Sequence, residues 1–321
     1  METCEGLERF TPPQSGVVLT IGNFDGLHRG HAAMVRRARE VARARGAPVV
    51  VVTLDPHPLA ILTPDRAPPQ LTTLRERLLL LERAGVDAVI LLRATKELLA
   101  TRAEQFVDLL VQRCRPRAFV EGPTFNFGRD RGGSVRTLHE LAPRYGFAVH
   151  VIDELRCEAL PDCPPINSST IRRALQEGHI EAANAMLGRP HRITGVVVRG
   201  AGRGNAFGFP TVNLDQVPQL VPRQAVYAAI AQLADGTLHL AALNIGPQPT
   251  FGQPIGRVEA HLLDFRGELL GQRVGLHLLA ALRGQTKFHA VEALAAQLER
   301  DVAQTRQYAP AIGSLAPLPL E

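Results

Sequence analysis

The chain has no tryptophan, three tyrosines, three methionines and four cysteines among its 321 residues, and aromatics make up only 5% of it. Cys4, Cys114, Cys157 and Cys163 are too few and too irregularly spaced for a disulfide framework or a zinc site. A reducing, cytoplasmic setting is therefore expected. No apolar run approaches the roughly 20 residues that a membrane helix needs, and no signal-peptide pattern is visible. The shortage of aromatics also rules out a repeated aromatic-basic pattern, and there is no basic arm. The net charge of +5 is spread over scattered arginines. It suits polyanionic small molecules better than nucleic acid. The expected partners are thus small molecules, with no nucleic acid and no membrane, for a monomer or transient homo-oligomer.

The length exceeds what one compact core accommodates, so two domains are expected. In the first half, after a ragged start over 1–14, short apolar runs at 17–21, 48–54, 87–92, 118–120 and 148–152 read as buried strands. Helical patterns at 32–45, 71–85 and 103–114 lie between them. This alternation predicts an α/β fold with a doubly wound parallel sheet. A helix over 178–187 leads to Gly188-Arg189-Pro190, where the pattern changes. Beyond it, short strands at 193–199, 226–232, 238–245, 257–263 and 273–280, separated by turns such as Asp235-Gly236, predict a closed antiparallel barrel. A helix over 289–306 follows, and 307–321 reads as a mobile tail. The expected domains are 1–187 and 188–306.

The first strand ends in Thr20-Ile21-Gly22-Asn23-Phe24-Asp25-Gly26-Leu27-His28-Arg29-Gly30-His31. Three glycines allow close backbone approach, and the helix that follows offers free N–H groups to a phosphate. His28 and His31, three apart, can point at one ligand. This matches the H-x-G-H signature of the nucleotidyltransferase superfamily, in which imidazoles stabilise charge on the α-phosphate.

Other strand ends carry Asp55-Pro56-His57-Pro58, a rigid turn that could also touch nucleotide or metal, and the loop 121–133. In that loop Phe125 and Phe127 either flank a planar ring or anchor a surface loop. Asn167-Ser168-Ser169-Thr170-Ile171-Arg172 sets hydroxyls and an arginine at a helix start, an anion site or simple capping by Ser168 or Ser169.

The second half holds three motifs. A glycine-rich loop with Gly200, Gly202, Gly204 and Gly208 runs into Phe209-Pro210-Thr211-Val212-Asn213. It can wrap phosphates, and Thr211 and Asn213, two apart on extended chain, present oxygens to one side as Mg²⁺ would require. The second motif is Asn244-Ile245-Gly246-Pro247-Gln248-Pro249-Thr250-Phe251-Gly252, a rigid loop able to clamp a ligand. The third is Val258-Glu259-Ala260-His261-Leu262-Leu263-Asp264-Phe265, where Glu259 could act as general base or stand as a solvated edge carboxylate.

Together these motifs resemble the bifunctional riboflavin kinase/FAD synthetase family of bacteria, in that family's order and spacing. The resemblance implies a Rossmann-like nucleotidyltransferase domain followed by a riboflavin kinase barrel. It implies phosphorylation of riboflavin to FMN by MgATP and adenylylation of FMN to FAD by a second ATP, with release of diphosphate. Glu259 corresponds to the kinase base and Thr211 and Asn213 to the magnesium ligands. His28 and His31 stabilise the adenylyl transition state, and Arg172 holds the leaving phosphates. Nucleotide contacts are expected from Gly22, Phe24, Asp25, Gly26, Ser168, Ser169, Thr170, Gly202, Gly204 and Gly208. Flavin contacts are expected from Phe125, Asn126, Phe127, Asn244 and Arg283. The chain departs from the family at Thr124, where Asp or Asn is usual, and at Ala225, Leu270 and Gln285. Thr124 raises one alternative, a riboflavin kinase with an altered nucleotidyltransferase domain. A flavin- or RNA-binding regulator has no use for the base and metal ligands.

Overall fold

The computed structural model describes residues 1–200, 209–246, 257–288 and 290–320. Contacts divide it into two units, residues 1–68 with 74–156, and residues 69–73 with 157–321.

The first unit is built on a parallel sheet. Its elements run β1 (Glu2–Glu5), β2 (Val17–Ile21), α1 (Arg29–Arg45), β3 (Val49–Asp55), α2 (Pro58–Leu62), α3 (Leu74–Arg83), β4 (Ala88–Arg93), α4 (Lys96–Leu99) and α5 (Ala103–Cys114). They continue with β5 (Pro116–Glu121), β6 (Asn126–Phe127), β7 (Gly133–Ser134), α6 (Val135–Tyr145) and β8 (Ala148–Val151). The six-stranded sheet has the order β1-β4-β3-β2-β5-β8, and every pairing in it is parallel. Every residue of β2 is buried, as expected for a central strand covered on both faces. One layer of the core joins Leu19, Ile21, Val50, Val52, Ile90 and Phe119 to Phe106 and Leu110 of α5 and Leu138 of α6. The strand order reverses between β2 and β5. The crevice at the carboxyl ends of such neighbours is where doubly wound sheets bind ligands.

The opening residues are not ragged. Glu2–Glu5 adds β1 to the sheet edge beside β4, and the Cys4 side chain is buried in the core.

The second unit holds α7 (Ser168–Glu177), α8 (Ile180–Leu187), β9 (His191–Val198), β10 (Val212–Asp215), β11 (Ala225–Gln232), β12 (Leu238–Gly246), β13 (Arg257–Leu262), β14 (Arg273–Arg283), α9 (Val291–Arg306) and α10 (Pro310–Ser314). Six antiparallel strands close a barrel in the order β10-β13-β12-β11-β14-β9. All eight residues of β11 are buried. Helices α7 and α8 belong to this unit. The Asn184 amide of α8 donates to the Leu278 and Leu279 carbonyls at 2.9 and 3.3 Å and accepts the His191 N–H at 2.7 Å.

The tail expected to be mobile is docked instead. Tyr308, Ala311, Ile312 and Leu315 pack on Ile230, Leu240 and Leu263. The carbonyl of buried Leu318 accepts from Arg192 and from the buried Gln232 amide, each at 2.9 Å. Apolar burial and these two donors outweigh the entropy cost of ordering the tail.

Candidate active sites

In the first unit the loop after β2 turns through positive φ at Phe24, Gly26 and Leu27. Phe24 is fully buried, and its ring would lie 3.4 Å from a Cβ placed on Gly22. His28 is the N-cap of α1, its Nδ1 accepting the His31 N–H at 3.3 Å. The two imidazoles stack with centroids 3.6 Å apart and planes 20° from parallel. The Phe24 ring sits 4.9 Å from His31 on its other contact. The structure thus brings His28 and His31 together, with the Phe24 ring against His31 and Asp25 buried in the same loop.

Two further buried charges stand at these strand ends, and the sequence reading missed both. Arg77 of α3 is 4% exposed, and it donates to the Leu54 carbonyl at 3.2 Å. Burial lowers its pKa, while the Asp25 and Asp55 carboxylates oppose that shift. Burial, then the charges of His28 and Arg77, hold the His31 imidazole well below its usual value. Glu121 closes the gap where β2 and β5 diverge. Its Oε1 accepts the Ile21 N–H at 2.9 Å, and burial raises its carboxyl well above the usual range. The signal for Arg77 was its place on the buried stripe Glu76, Arg77, Leu80, Leu81 of α3, spaced as the inner face of a helix.

The loop 121–133 does not hold a slot between its phenylalanines. Phe125 and Phe127 stack on each other, centroids 5.2 Å apart and planes 18° from parallel. A ring inserted between two others needs roughly twice a stacking distance of about 3.5–4 Å. Phe127 is a core residue against Phe106, with Phe125 packed beside it. Asn126 is exposed, its amide donating to the Thr124 carbonyl at 2.7 Å.

In the second unit the N-cap of α7 is Asn167, not Ser168 or Ser169. Its Oδ1 accepts the Thr170 N–H at 2.8 Å. Asparagine reaches the N3 amide as well as serine does, and the cap sets Ser168 and Ser169 within the first turn. Arg172 donates through Nε to the Pro69 carbonyl at 2.8 Å.

The barrel gathers its candidate residues by register. Asn213 on β10 stands directly opposite Glu259 on β13, which stands opposite Asn244 on β12. Asn244 pairs with Val226 on β11, and Val226 with Arg283 on β14. Paired positions share one face of a sheet, so Asn213, Glu259, Asn244 and Arg283 form one transverse row. Asn213 is buried and its Oδ1 has no partner among the described residues. Gly200 packs so closely on it that a Cβ would come within 2.0 Å of its amide nitrogen. Gln285 donates to Asn244 Oδ1 at 2.8 Å and to the Ile245 carbonyl at 2.9 Å. Arg283 is engaged by buried Asp301, with contacts of 2.7 and 2.9 Å, and lies over the Phe288 ring. Among the described residues no cluster of three His, Cys, Asp or Glu could hold a metal. A cation here would rely on the oxygens of Thr211 and Asn213. Gly202, Gly204, Gly208 and the stretch 247–252 lie outside the described residues.

Comparison with known proteins matches residues 11–161 to the FAD synthetase family and residues 187–309 to the riboflavin kinase family. The bifunctional riboflavin kinase/FMN adenylyltransferase of Escherichia coli (strain K12) is 37% identical over 298 residues, covering 92% of this chain and 94% of that one. The protein of the same description from Bacillus subtilis (strain 168) is 30% identical, covering 92% and 93%. A crystal structure titled macrolide-efflux protein, from Streptococcus pneumoniae, superposes with a TM-score of 0.85 at 27% identity, covering 96% and 99%. Among the described residues here, no helix is long and apolar enough to cross a membrane.

Proposed function

Since the chain belongs to the bifunctional riboflavin kinase/FMN adenylyltransferase family, it converts riboflavin to FMN and FMN to FAD, and we propose which of its side chains carry each step. Both reactions consume ATP. The observation that carries the kinase assignment is the placement of Glu259 between Asn213 and Asn244 in one row. A carboxylate there can take the proton from the ribityl hydroxyl as that oxygen attacks the γ-phosphate. Asn213 Oδ1, buried without a partner among the described residues, together with Thr211, fits a hard cation that keeps most of its other ligands as phosphate and water. Magnesium held there would neutralise charge on the triphosphate. Asn244, fixed by Gln285, is placed to orient a substrate group beside the base.

Adenylyl transfer belongs to the stacked histidines. An FMN phosphate oxygen attacks the α-phosphate and diphosphate leaves, with no covalent enzyme intermediate required. His28 and His31, at the N-terminus of α1, stabilise the charge that develops there, helped by the helix dipole. Cys4, Cys114 and Cys157 are buried thiols, which supports a cytoplasmic enzyme.

The test is to incubate purified protein with riboflavin and MgATP and separate the flavins by chromatography. FMN followed by FAD is expected. FMN alone, even when FMN is supplied directly, would favour a kinase with an altered adenylylating domain, the reading that Thr124 raises.

A further inference from the structure

The buried guanidinium of Arg77 is not explained by packing. Helix α3 could place leucine at that position and fill the same space without desolvating a charge. The side chain instead reaches the end of β3 and lies within the electrostatic range of the loop after β2. It donates to the carbonyl of Leu54 on β3 at 3.2 Å. The carboxylate of Asp55 on the same strand and that of Asp25, on the loop after β2, both act on it. Asp25 is three residues before His28, and it too is buried. The Nε of Arg77 is buried with no hydrogen-bond partner among the described residues.

We propose that Arg77 is a positioning residue for adenylyl transfer, clamping the β3 end at Leu54 and Asp55 to the Asp25 loop and thereby setting the stacked pair His28 and His31. A guanidinium suits this task because its planar fork can serve several acceptors at once, which an ammonium on a flexible stem does less well. The second consequence is electrostatic. The charge of Arg77, with that of His28, opposes protonation of His31, in the direction that burial already drives. Held in this way, His31 enters the reaction as a neutral imidazole in a fixed place, so little reorganisation is needed when charge develops on the phosphate.

This inference rests on the assignment of adenylyl transfer to the histidine loop, and the experiment separates the two. Full-length wild type, Arg77→Met and Arg77→Lys are assayed for FMN-to-FAD conversion and for riboflavin phosphorylation. Their histidine side chains are titrated by NMR, with His31→Ala identifying the His31 signal. If His31→Ala makes FAD at the wild-type rate, the underlying assignment fails. If it does not, Arg77→Met is expected to lower kcat for FAD formation by about tenfold or more, because small misplacements of reacting groups are costly. The KM for ATP should stay within about twofold and riboflavin phosphorylation should be unchanged. The His31 titration should move up, since a repelling charge is gone. Arg77→Lys should keep the His31 titration near wild type and still lose kcat. Wild-type kcat in Arg77→Met overturns the proposal, as does a rise in KM for ATP with kcat unchanged, which would make Arg77 a phosphate ligand. If Arg77→Met does not fold, Arg77→Lys decides: wild-type kcat there shows that charge alone suffices and there is no clamp.

Discussion

Asn213 and Glu259 face each other directly across the antiparallel pairing of β10 and β13. The pairing brings a metal-type oxygen ligand and a base-type carboxylate to one spot from positions 46 residues apart in the chain. Neither residue alone distinguishes a kinase from a barrel with polar strands. Their opposition suits the proposed kinase step, because phosphoryl transfer needs charge neutralisation and a proton acceptor beside the same reacting atoms.

Glu259→Gln should therefore lower riboflavin phosphorylation by about 10²–10⁴-fold, the usual worth of a general base. Gln keeps the shape and cannot take the proton. FMN supplied directly should still be converted to FAD. Chromatography of the flavins from each substrate checks both statements, and near-wild-type phosphorylation would remove Glu259 from the role of base.

The histidine pair gives the complementary prediction. His28→Ala removes an imidazole and also the acceptor that caps α1, at a cost of about 1 kcal/mol in stability. His28→Asn retains a capping oxygen, so it isolates the chemical role. It and His31→Ala should each reduce FAD formation by about 10²–10³-fold, as for loss of a transition-state donor, while FMN formation continues. Parallel loss of both activities in a folded variant would contradict this division.

Much of this architecture was readable from the chain. The run 17–21 and the helix 103–114 have the bounds that their apolar patterns predict, because burial imposes a strict period on a central strand and an amphipathic helix. The edge strand β1 was not readable, since only Cys4 of its four residues is buried and an edge needs no apolar alternation. Helix α6 was missed for a similar reason: of its eleven residues only Leu138 is buried, and Pro143 lies inside it. The site motifs were legible as strings, whereas the row that joins Asn213, Glu259, Asn244 and Arg283 depends on register, which no local pattern encodes. Arg77 and Glu121 were hidden because a charged residue in an apolar stretch ordinarily reads as a solvated one.

His277 should make the barrel acid-sensitive. It is buried, with Nε2 3.3 Å from Gln232 Oε1. Burial first, then the charges of Arg192, Arg189 and His191, lower its pKa from 6.5 to about 3. A folded-state pKa depressed below the unfolded value means that the unfolded chain binds the proton more readily. Stability is then fully present above pH 6.5 and is lost as pH falls toward about 3, by at most about 1.4 kcal/mol per pH unit. Thermal melts at pH 7, 5 and 4 should show a steeper decline for wild type than for His277→Leu. Parallel declines would remove His277 as the sensor.

The docked C-terminus should stabilise the barrel. Ending the chain at Ser314 removes buried Leu318 and leaves the Gln232 amide without its acceptor. Burying a leucine contributes about 1.5–3 kcal/mol, and a buried unsatisfied donor costs about 1–3 kcal/mol. Denaturant unfolding should show a loss of several kcal/mol, with phosphorylation retained at 25 °C. An unchanged midpoint would mean that the tail is dispensable.

A change of pattern near Gly188 suggested cutting there to separate the activities, and the packing of α8 argues for an earlier cut. Ile180, Ala183 and Met186 are fully buried. Asn184 satisfies two carbonyls at β14 and the first amide of β9. A fragment starting at Gly188 exposes the surface that these residues cover and leaves the Leu278 and Leu279 carbonyls without that donor. At about 1.5–3 kcal/mol for each of the large side chains Ile180 and Met186 no longer supplying cover, the loss is a large fraction of the stability of an ordinary domain, about 5–15 kcal/mol. A fragment over 157–320 keeps both helices, although it omits the strip 69–73, where the Gln70 carbonyl accepts the Leu220 N–H at 2.7 Å. The strip also gives the Pro69 carbonyl to Arg172 and holds buried Leu71, so this fragment should lose some stability with it but less than one that also lacks α7 and α8. The longer fragment should fold cooperatively and phosphorylate riboflavin, whereas the fragment over 188–320 should melt at a much lower temperature or not fold. Circular dichroism melts of the two, with flavin chromatography, make the comparison. Equal melting temperatures would show that α7 and α8 contribute nothing to the barrel and would restore the boundary at Gly188.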